Sequence, residues 1–446
     1  MSNLTFFGAS GIVTGSCFLL QQDSDSFLID LGMYQESSDI QSENTKPLPF
    51  DPTSLNCVFI THAHLDHCGR LPLLAKAGYR GPIYMTPATK DIVEISLDDS
   101  ARLAERKEEE DGIPALYTSD DVLKVLDLIQ TVEYDTPFTH GSANIVFKDA
   151  GHILGSAIVE ITDKIGKKTV FSGDLGNFPE DIIKPTEFIS DASTVVIEST
   201  YGGETHKHED VYEILQHEIN EISNTNGVLL IPAFSIQRTQ ELIHRIGHLL
   251  KDKKISADIP IYVDSPMAIK VTEVFKKYTN LYNSHTASDE TPFEFDTLIL
   301  TEEAHQSKEI LKVDGPKVVI AGSGMMSGGR IQYHLKNYIS SYNTRILIVG
   351  YQAENTLGRQ IETGVKRITL FEEDIPIHAT ITKIESMSSH ADHPKLMKWL
   401  HTIKGLENVC IVHGEDDRRQ ALADAIKNDF PNVQIHLPTP TQTIEY

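Results

Sequence analysis

The sequence predicts an α/β protein in which a domain of stacked sheets with outer helices is interrupted by an inserted parallel-sheet domain. Three observations carry this. Up to about residue 205, short apolar runs alternate with turns, and helices fall between hairpin-like strands. From 206 to 384 the order becomes β-α-β-α, as in a parallel sheet. From 385 to 446 the first pattern resumes, so residues 1–205 and 385–446 read as one domain and 206–384 as its insertion.

Taken in order, strands are expected at Leu4–Phe7, Cys17–Leu20, Phe27–Leu31, Cys57–Ile60 and Pro82–Met85. Helices are expected over Asp66–Lys76, Pro87 to about Glu110 and Ser119–Leu128. Strands follow at Ile145–Lys148, Ala157–Ile161, Lys168–Phe171 and Thr194–Ile197. In the insertion, helices over Glu209–Ser223 and Ile236–Leu250 alternate with strands Val228–Ile231, Pro260–Val263, Val318–Ala321 and Arg345–Val349. Asn283–Phe295, polar and acidic with Pro292, reads as a long surface loop. The last part gives a helix His393–Ile403, a strand Asn408–Val412 and a helix Arg418–Asn428. No internal repeat is evident.

Composition narrows the class. Apolar residues make up 40% and charged residues 23% of the 446, as in a soluble globular protein. No apolar stretch approaches the roughly 20 residues that span a bilayer, so no membrane is expected. The N-terminus shows no secretory pattern. Four scattered cysteines (Cys17, Cys57, Cys68, Cys410) form no spaced pair, and a reducing cytoplasm is expected. Sixty-four acidic against 39 basic residues give a formal charge of −25. A polyanion substrate would then need locally positive groups.

The chemistry-bearing residues sit at strand ends. Thr61-His62-Ala63-His64-Leu65-Asp66-His67-Cys68-Gly69 follows the apolar run Asn56–Ile60. Neutral imidazole and carboxylate are ligands for zinc and other first-row metals. His62 and His64 share one face while Asp66 and His67 lie a turn further on, so one loop can serve two metals. His152 in Gly151-His152-Ile153-Leu154-Gly155, Asp174 in Ser172-Gly173-Asp174-Leu175-Gly176 and His413 in Val412-His413-Gly414-Glu415 occupy comparable positions. Cys68 reads as a small buried residue at a helix start.

With Asp30 closing the run Phe27-Leu28-Ile29-Asp30, these motifs resemble the metallo-β-lactamase fold. The resemblance implies an αββα sandwich with two zinc ions. It implies that His62, His64 and His152 hold one, that Asp66, His67 and His413 hold the other, and that Asp174 bridges. It casts Asp66 also in the catalysis and Asp30 as orienting a ligand or loop. Paired zincs would activate water, so hydrolysis is the expected reaction.

Glu198 in Ile197-Glu198-Ser199-Thr200-Tyr201-Gly202, His390 in Ser388-Ser389-His390-Ala391-Asp392, and His413 resemble three further motifs of the β-CASP nucleases. The insertion corresponds to their second domain. The likeness is in particular to bacterial and archaeal relatives of the endonuclease subunit of the cleavage and polyadenylation specificity factor, and it implies an RNA substrate. His390 is suited to protonate a leaving alkoxide, with Glu198 orienting it and favouring its cation. In the insertion, Gly322-Ser323-Gly324-Met325-Met326-Ser327-Gly328-Gly329-Arg330 is placed to cradle an anion, or serves as a flexible loop. Ser235, Arg238, Gly324, Ser327, Arg330 and Arg359 are the expected RNA-backbone contacts.

The reading is therefore a zinc-dependent ribonuclease cutting single-stranded RNA internally to 5′-phosphate and 3′-hydroxyl ends, with 5′–3′ exonuclease activity left open. A hydrolase of a small ester, thioester or lactone is the alternative, and a non-catalytic RNA scaffold a third. Target selection is expected to involve a homodimer partner or an accessory RNA-binding factor.

Overall fold

Strands Asp25–Ile29 and Cys57–Phe59 show how the first unit is built. Side chains alternate across a pleated strand. Phe27, Ile29, Cys57 and Phe59 point into one core, while Leu28 and Val58, equally buried, face the other side. A sheet buried on both faces needs a second sheet on one side and helices on the other. In a computed structural model describing residues 2–35, 38–177, 181–353 and 355–446, that is the arrangement found.

Two compact units are present: Met1–Thr205 with Ser389–Tyr446, and His206–Ser388, so the second unit extends to Ser388 rather than ending at 384. The first sheet of the first unit runs Thr443–Glu445, Ser2–Phe6, Phe18–Gln22, Asp25–Ile29, Cys57–Phe59, Ile83–Met85, Ile129–Thr131. The second runs Phe138–His140, Ala143–Asp149, Ala157–Thr162, Lys168–Phe171, Thr194–Ile197, Asn408–Ile411, Gln434–His436. Phe6, Phe18, Phe27, Phe147 and Phe171 fill the space between them. Outside the second sheet, helices His393–His401 and Asp416–Asp429 bring Trp399, Leu400, Leu422 and Ile426 onto Val170, Val195, Val409 and Ile411.

The sheets share one plan, which the sequence does not announce. In each, three antiparallel pairings are followed by three parallel ones. The fourth strand of each is followed by the same tripeptide, Asp30-Leu31-Gly32 directly after Ile29 and Asp174-Leu175-Gly176 shortly after Phe171. Three shared letters are too few to register as a repeat in a linear reading.

One expected helix is broken. Asp66–Lys76 is two helices, Leu65–Cys68 and Leu71–Lys76. Pro72 cannot donate within a continuous helix, and a restart allows Asp66 and His67 to turn toward the strand ends. All four cysteines are free and buried; the Cys68 thiol faces the Ala63 carbonyl at 3.5 Å, a core role. No helix among the described residues is long and apolar enough to cross a membrane.

The second unit holds a six-stranded, wholly parallel sheet in the order Leu298–Leu300, Ile261–Asp264, Lys317–Ala321, Val228–Pro232, Thr344–Ile348, Thr380–Lys383. The two edge strands and the hairpin Arg367–Leu370/Glu373–Pro376 add to the expected elements. The 283–295 segment is a loop with one 3₁₀ turn, yet it is not wholly superficial, because Thr286 and Phe293 are buried. Glu218, on helix Val211–Thr225, clasps Arg345 of a central strand through two hydrogen bonds (2.5 and 2.9 Å) and accepts a third from Thr382 (2.9 Å). Breaking a buried pair from one side leaves an unpaired charge. Glu218→Ala should lower the stability of this unit by about 3 kcal/mol, read as a shift in its urea transition, whereas Glu218→Gln should lose less.

Candidate active site

Parallel strands end together, so residues just past their carboxyl ends converge. Strand Cys57–Phe59 delivers His62 and His64, Ala143–Asp149 delivers His152, and Lys168–Phe171 delivers Asp174. His64 Nδ1 lies 3.1 Å from His62 Nε2 and 3.2 Å from His152 Nε2. Asp174 Oδ2 lies 3.4 Å from His62 Nε2 and 3.6 Å from His152 Nε2. Ligands on a tetrahedral ion with bonds of 2.0–2.1 Å stand about 3.3 Å apart. These four atoms have that spacing.

A second set lies beside the first. His413 Nε2 is 3.3 Å from Asp66 Oδ2, and His67 Nε2 is 3.9 Å from the same oxygen and 3.4 Å from Asp174 Oδ1. Asp174 therefore turns one oxygen to each set. Both oxygens are buried, and neither has a hydrogen-bond partner among the described residues. A carboxylate in that state calls for cations. The donor set fits metal.

Electrostatics agree for the first set. Burial holds His62 and His152 well below the ordinary imidazole value and brings His64 down to about 4, so all three offer neutral nitrogens. Burial would raise Asp66, but its bond to His413 and the nearby His67 bring it down to about 2. His67 differs. Burial opposes its charge, yet Asp174 and Asp30 overcome that and raise it, so a metal must displace a proton there.

The outer nitrogens are held by residues that were not singled out in the sequence. Thr61 Oγ1 lies 3.1 Å from His62 Nδ1, the Ser389 carbonyl 3.1 Å from His152 Nδ1, and Thr200 Oγ1 3.0 Å from His413 Nδ1. Asp30 Oδ2 lies 2.8 Å from His67 Nδ1, and the carboxylate also accepts from the Thr61 amide and hydroxyl (both 2.8 Å). Asp30 touches no position where a reacting atom would sit. It is placed to act as a positioning residue, as the resemblance implies. The signal for the others was adjacency, since Thr61, Thr200 and Ser389 all lie within two residues of a motif residue.

His390 and Glu198 meet at the same edge. His390 Nδ1 lies 3.3 Å from both Glu198 oxygens and 3.9 Å from Asp174 Oδ2. Glu198 is fixed in turn by the Leu175 amide (2.8 Å) and the Thr200 amide (3.2 Å). One antiparallel bridge between Gly176 and His390, and the Ala391 amide on the Leu175 carbonyl (2.7 Å), tie the His390 segment to the Asp174 turn. Burial would lower the His390 pKa, but Glu198 and Asp174 overcome it and push it up to about 9.

In the second unit, Ser235 and Gly324 lie past the carboxyl ends of neighbouring strands. Ser235 Oγ is 3.1 Å from Ser265 Oγ, and Gln352 donates to the Gly324 carbonyl at 3.0 Å. Ser327 and Arg359 are exposed. Two expected contacts are otherwise engaged. Arg238 is buried with its guanidinium on Glu241, and Arg330 binds Asp264 (2.7 Å) and the carbonyls of Thr301 and Glu302 (2.8 and 2.6 Å). Both support the fold. A basic side chain near a Gly-rich turn looks the same in sequence whether it meets a phosphate or a buried carboxylate. His334, without a spaced partner in sequence, also binds Asp264 (2.7 Å).

Comparison with known proteins agrees with this arrangement. Residues 11–206 match the metallo-beta-lactamase superfamily, 239–361 the Beta-Casp domain, and 374–438 the Zn-dependent metallo-hydrolase RNA specificity domain. Ribonuclease TTHA0252 of Thermus thermophilus is 35% identical over 93% of this chain and 94% of its own. The chain belongs to the β-CASP ribonucleases. Other relatives in Methanocaldococcus jannaschii are an RNase J-like protein, 30% identical over 95% of this chain and 94% of its own, and transcription termination factor FttA, 30% identical over 98% and 70%. A solved Enterococcus faecalis protein of unknown function shares the fold at a TM-score of 0.55, with 12% identity and 99% of both chains covered.

For this β-CASP chain, one glycine is decisive. A Cβ on Gly32 would stand 1.6 Å from the Asp66 carbonyl oxygen, which also accepts the Ser16 amide at 2.9 Å. Gly32→Ala must push the Asp66–His67 turn away from Asp174. Loss of ligand support costs about 10–100-fold in metal affinity, so metal content and RNA cleavage should fall together.

Proposed function

We propose that this protein is a zinc-dependent endoribonuclease that cuts single-stranded RNA to 5′-phosphate and 3′-hydroxyl ends. One observation supports the reading above others: two ligand sets share Asp174, and the His390–Glu198 pair stands at their edge. RNA as substrate is supported by family membership and by relatives named as ribonucleases.

His62, His64 and His152 would hold one zinc, and Asp66, His67 and His413 the other, with Asp174 between. When bound, the pair supplies activated water and Lewis acidity at the phosphorus. The chain's own residues do the rest. Asp30, Thr61, Thr200 and Ser389 fix the ring orientations. Glu198 holds His390 at Nδ1 and keeps it cationic, so that Nε2 carries the proton passed to the departing 3′ oxygen. Ser235, Gly324, Ser327 and Arg359 meet backbone phosphates without reading bases. At −25 overall, such contacts are few, so a second copy or an accessory factor selects the target.

A covalently closed RNA circle tests the cutting mode because it has no ends. Zinc-loaded protein should open it, sequencing should show 5′-phosphate and 3′-hydroxyl termini, and Asp174→Ala should leave it intact. Circles that survive while linear RNA is shortened from its 5′ end would sink the endonucleolytic reading.

A further inference from the structure

Away from these strand ends, the second unit carries another set of metal-binding side chains. His244 and His248 lie one turn apart on helix Arg238–Lys251, and this spacing puts both rings on one face. The 283–295 loop brings His285 and Asp289 against that face. Asp289 Oδ2 is 2.8 Å from His248 Nε2 and 3.3 Å from His244 Nε2, and the two nitrogens are 3.2 Å apart. The ligand nitrogens of His244, His248 and His285 all lie within 4.8 Å of one another.

Two of these edges, 3.2 and 3.3 Å, match the about 3.3 Å of a tetrahedral shell, and the third, at 2.8 Å, is shorter. The fourth ligand, His285, is an exposed ring whose centroid is 5.3 Å from that of His248. Its ring nitrogen lies within 4.8 Å of those of His244 and His248. The loop is anchored for the purpose: buried Phe293 packs on Phe275, Tyr282 and His244, and the Thr286 amide binds Asn283 Oδ1 at 2.9 Å.

We propose that His244, His248, His285 and Asp289 form a separate zinc site that fastens the 283–295 loop to the helix. Four protein ligands leave no position for a substrate, so the site is structural. Lys251, 3.3 Å from Asp289 Oδ1, pairs with the carboxylate oxygen turned away from the histidines.

The full chain is stripped with a chelator, reloaded with Zn²⁺, desalted, and its zinc counted per chain. Wild type should hold one more zinc than His285→Ala or Asp289→Asn, and Asp174→Ala should retain this zinc while losing those of the active site. Added Zn²⁺ should protect the 283–295 loop from proteolysis in wild type and in Asp174→Ala, but not in His285→Ala. Equal zinc counts in wild type and His285→Ala, or protection unaffected by that change, would leave only a hydrogen-bonded His–Asp network and overturn the proposal. His285 is exposed, so its loss does not threaten folding.

Discussion

His390→Ala should lower the rate of RNA cleavage by about 10²–10⁴-fold, the range for losing a positioned general acid, while metal content stays unchanged. The imidazole is not among the seven side chains proposed to hold metal, so metal and proton donor are separable. The pH profile carries the sharper test. A proton donor works only while protonated, so activity holds below its pKa and falls tenfold per unit above it. Carboxylates push His390 toward about 9 from an ordinary 6.5, and bound cations offset the Asp174 share, which places the alkaline limb between those values. Glu198→Gln removes the nearest negative charge and should move that limb down by about one unit or more. Its new amide NH₂ also confronts a backbone N–H from Leu175 or Thr200, so a stability loss of about 1–3 kcal/mol accompanies the shift. An alkaline limb that stays in place in Glu198→Gln would remove Glu198 from this role.

Asp174→Asn should be more damaging still. The side chain keeps its shape but loses the anion that both ligand sets share, so metal binding should weaken by more than about 10²-fold, beyond the 10–100-fold typical of a supporting contact. Cleavage should then be undetectable at metal concentrations that saturate the wild type. Metal analysis, with circular dichroism to verify the fold, separates this from misfolding. Full metal occupancy in Asp174→Asn would refute the bridging role.

The cluster of candidate ligands was legible because metal chemistry restricts residue type and strand ends restrict position. His62, His64, Asp66, His67, His152, Asp174 and His413 each follow an apolar run by a residue or a few. Thr61, Thr200 and Ser389 were not legible, because a hydroxyl or a carbonyl that steadies a ring is common everywhere. The partners of Arg238 and Arg330 were hidden for a related reason: charge shows in sequence, but the carboxylate that pairs with it does not. The helix expected over Asp66–Lys76 ignored Pro72. The edge strands Leu298–Leu300 and Thr380–Lys383 are too short and too exposed to stand out by pattern. The 283–295 loop read as surface because its acidic residues outweigh one buried phenylalanine.

The interruption of the first unit also has a temporal side. His67 and His413 belong to one proposed ligand set but are separated by the whole insertion, and strand Thr443–Glu445 pairs with Ser2–Phe6. At about 5–20 residues per second of synthesis, roughly 17–70 s pass between the appearance of these two histidines. During that time the proposed second ligand set lacks His413. A nuclease assembled in this order cannot complete its second proposed metal set until the whole insertion has been made.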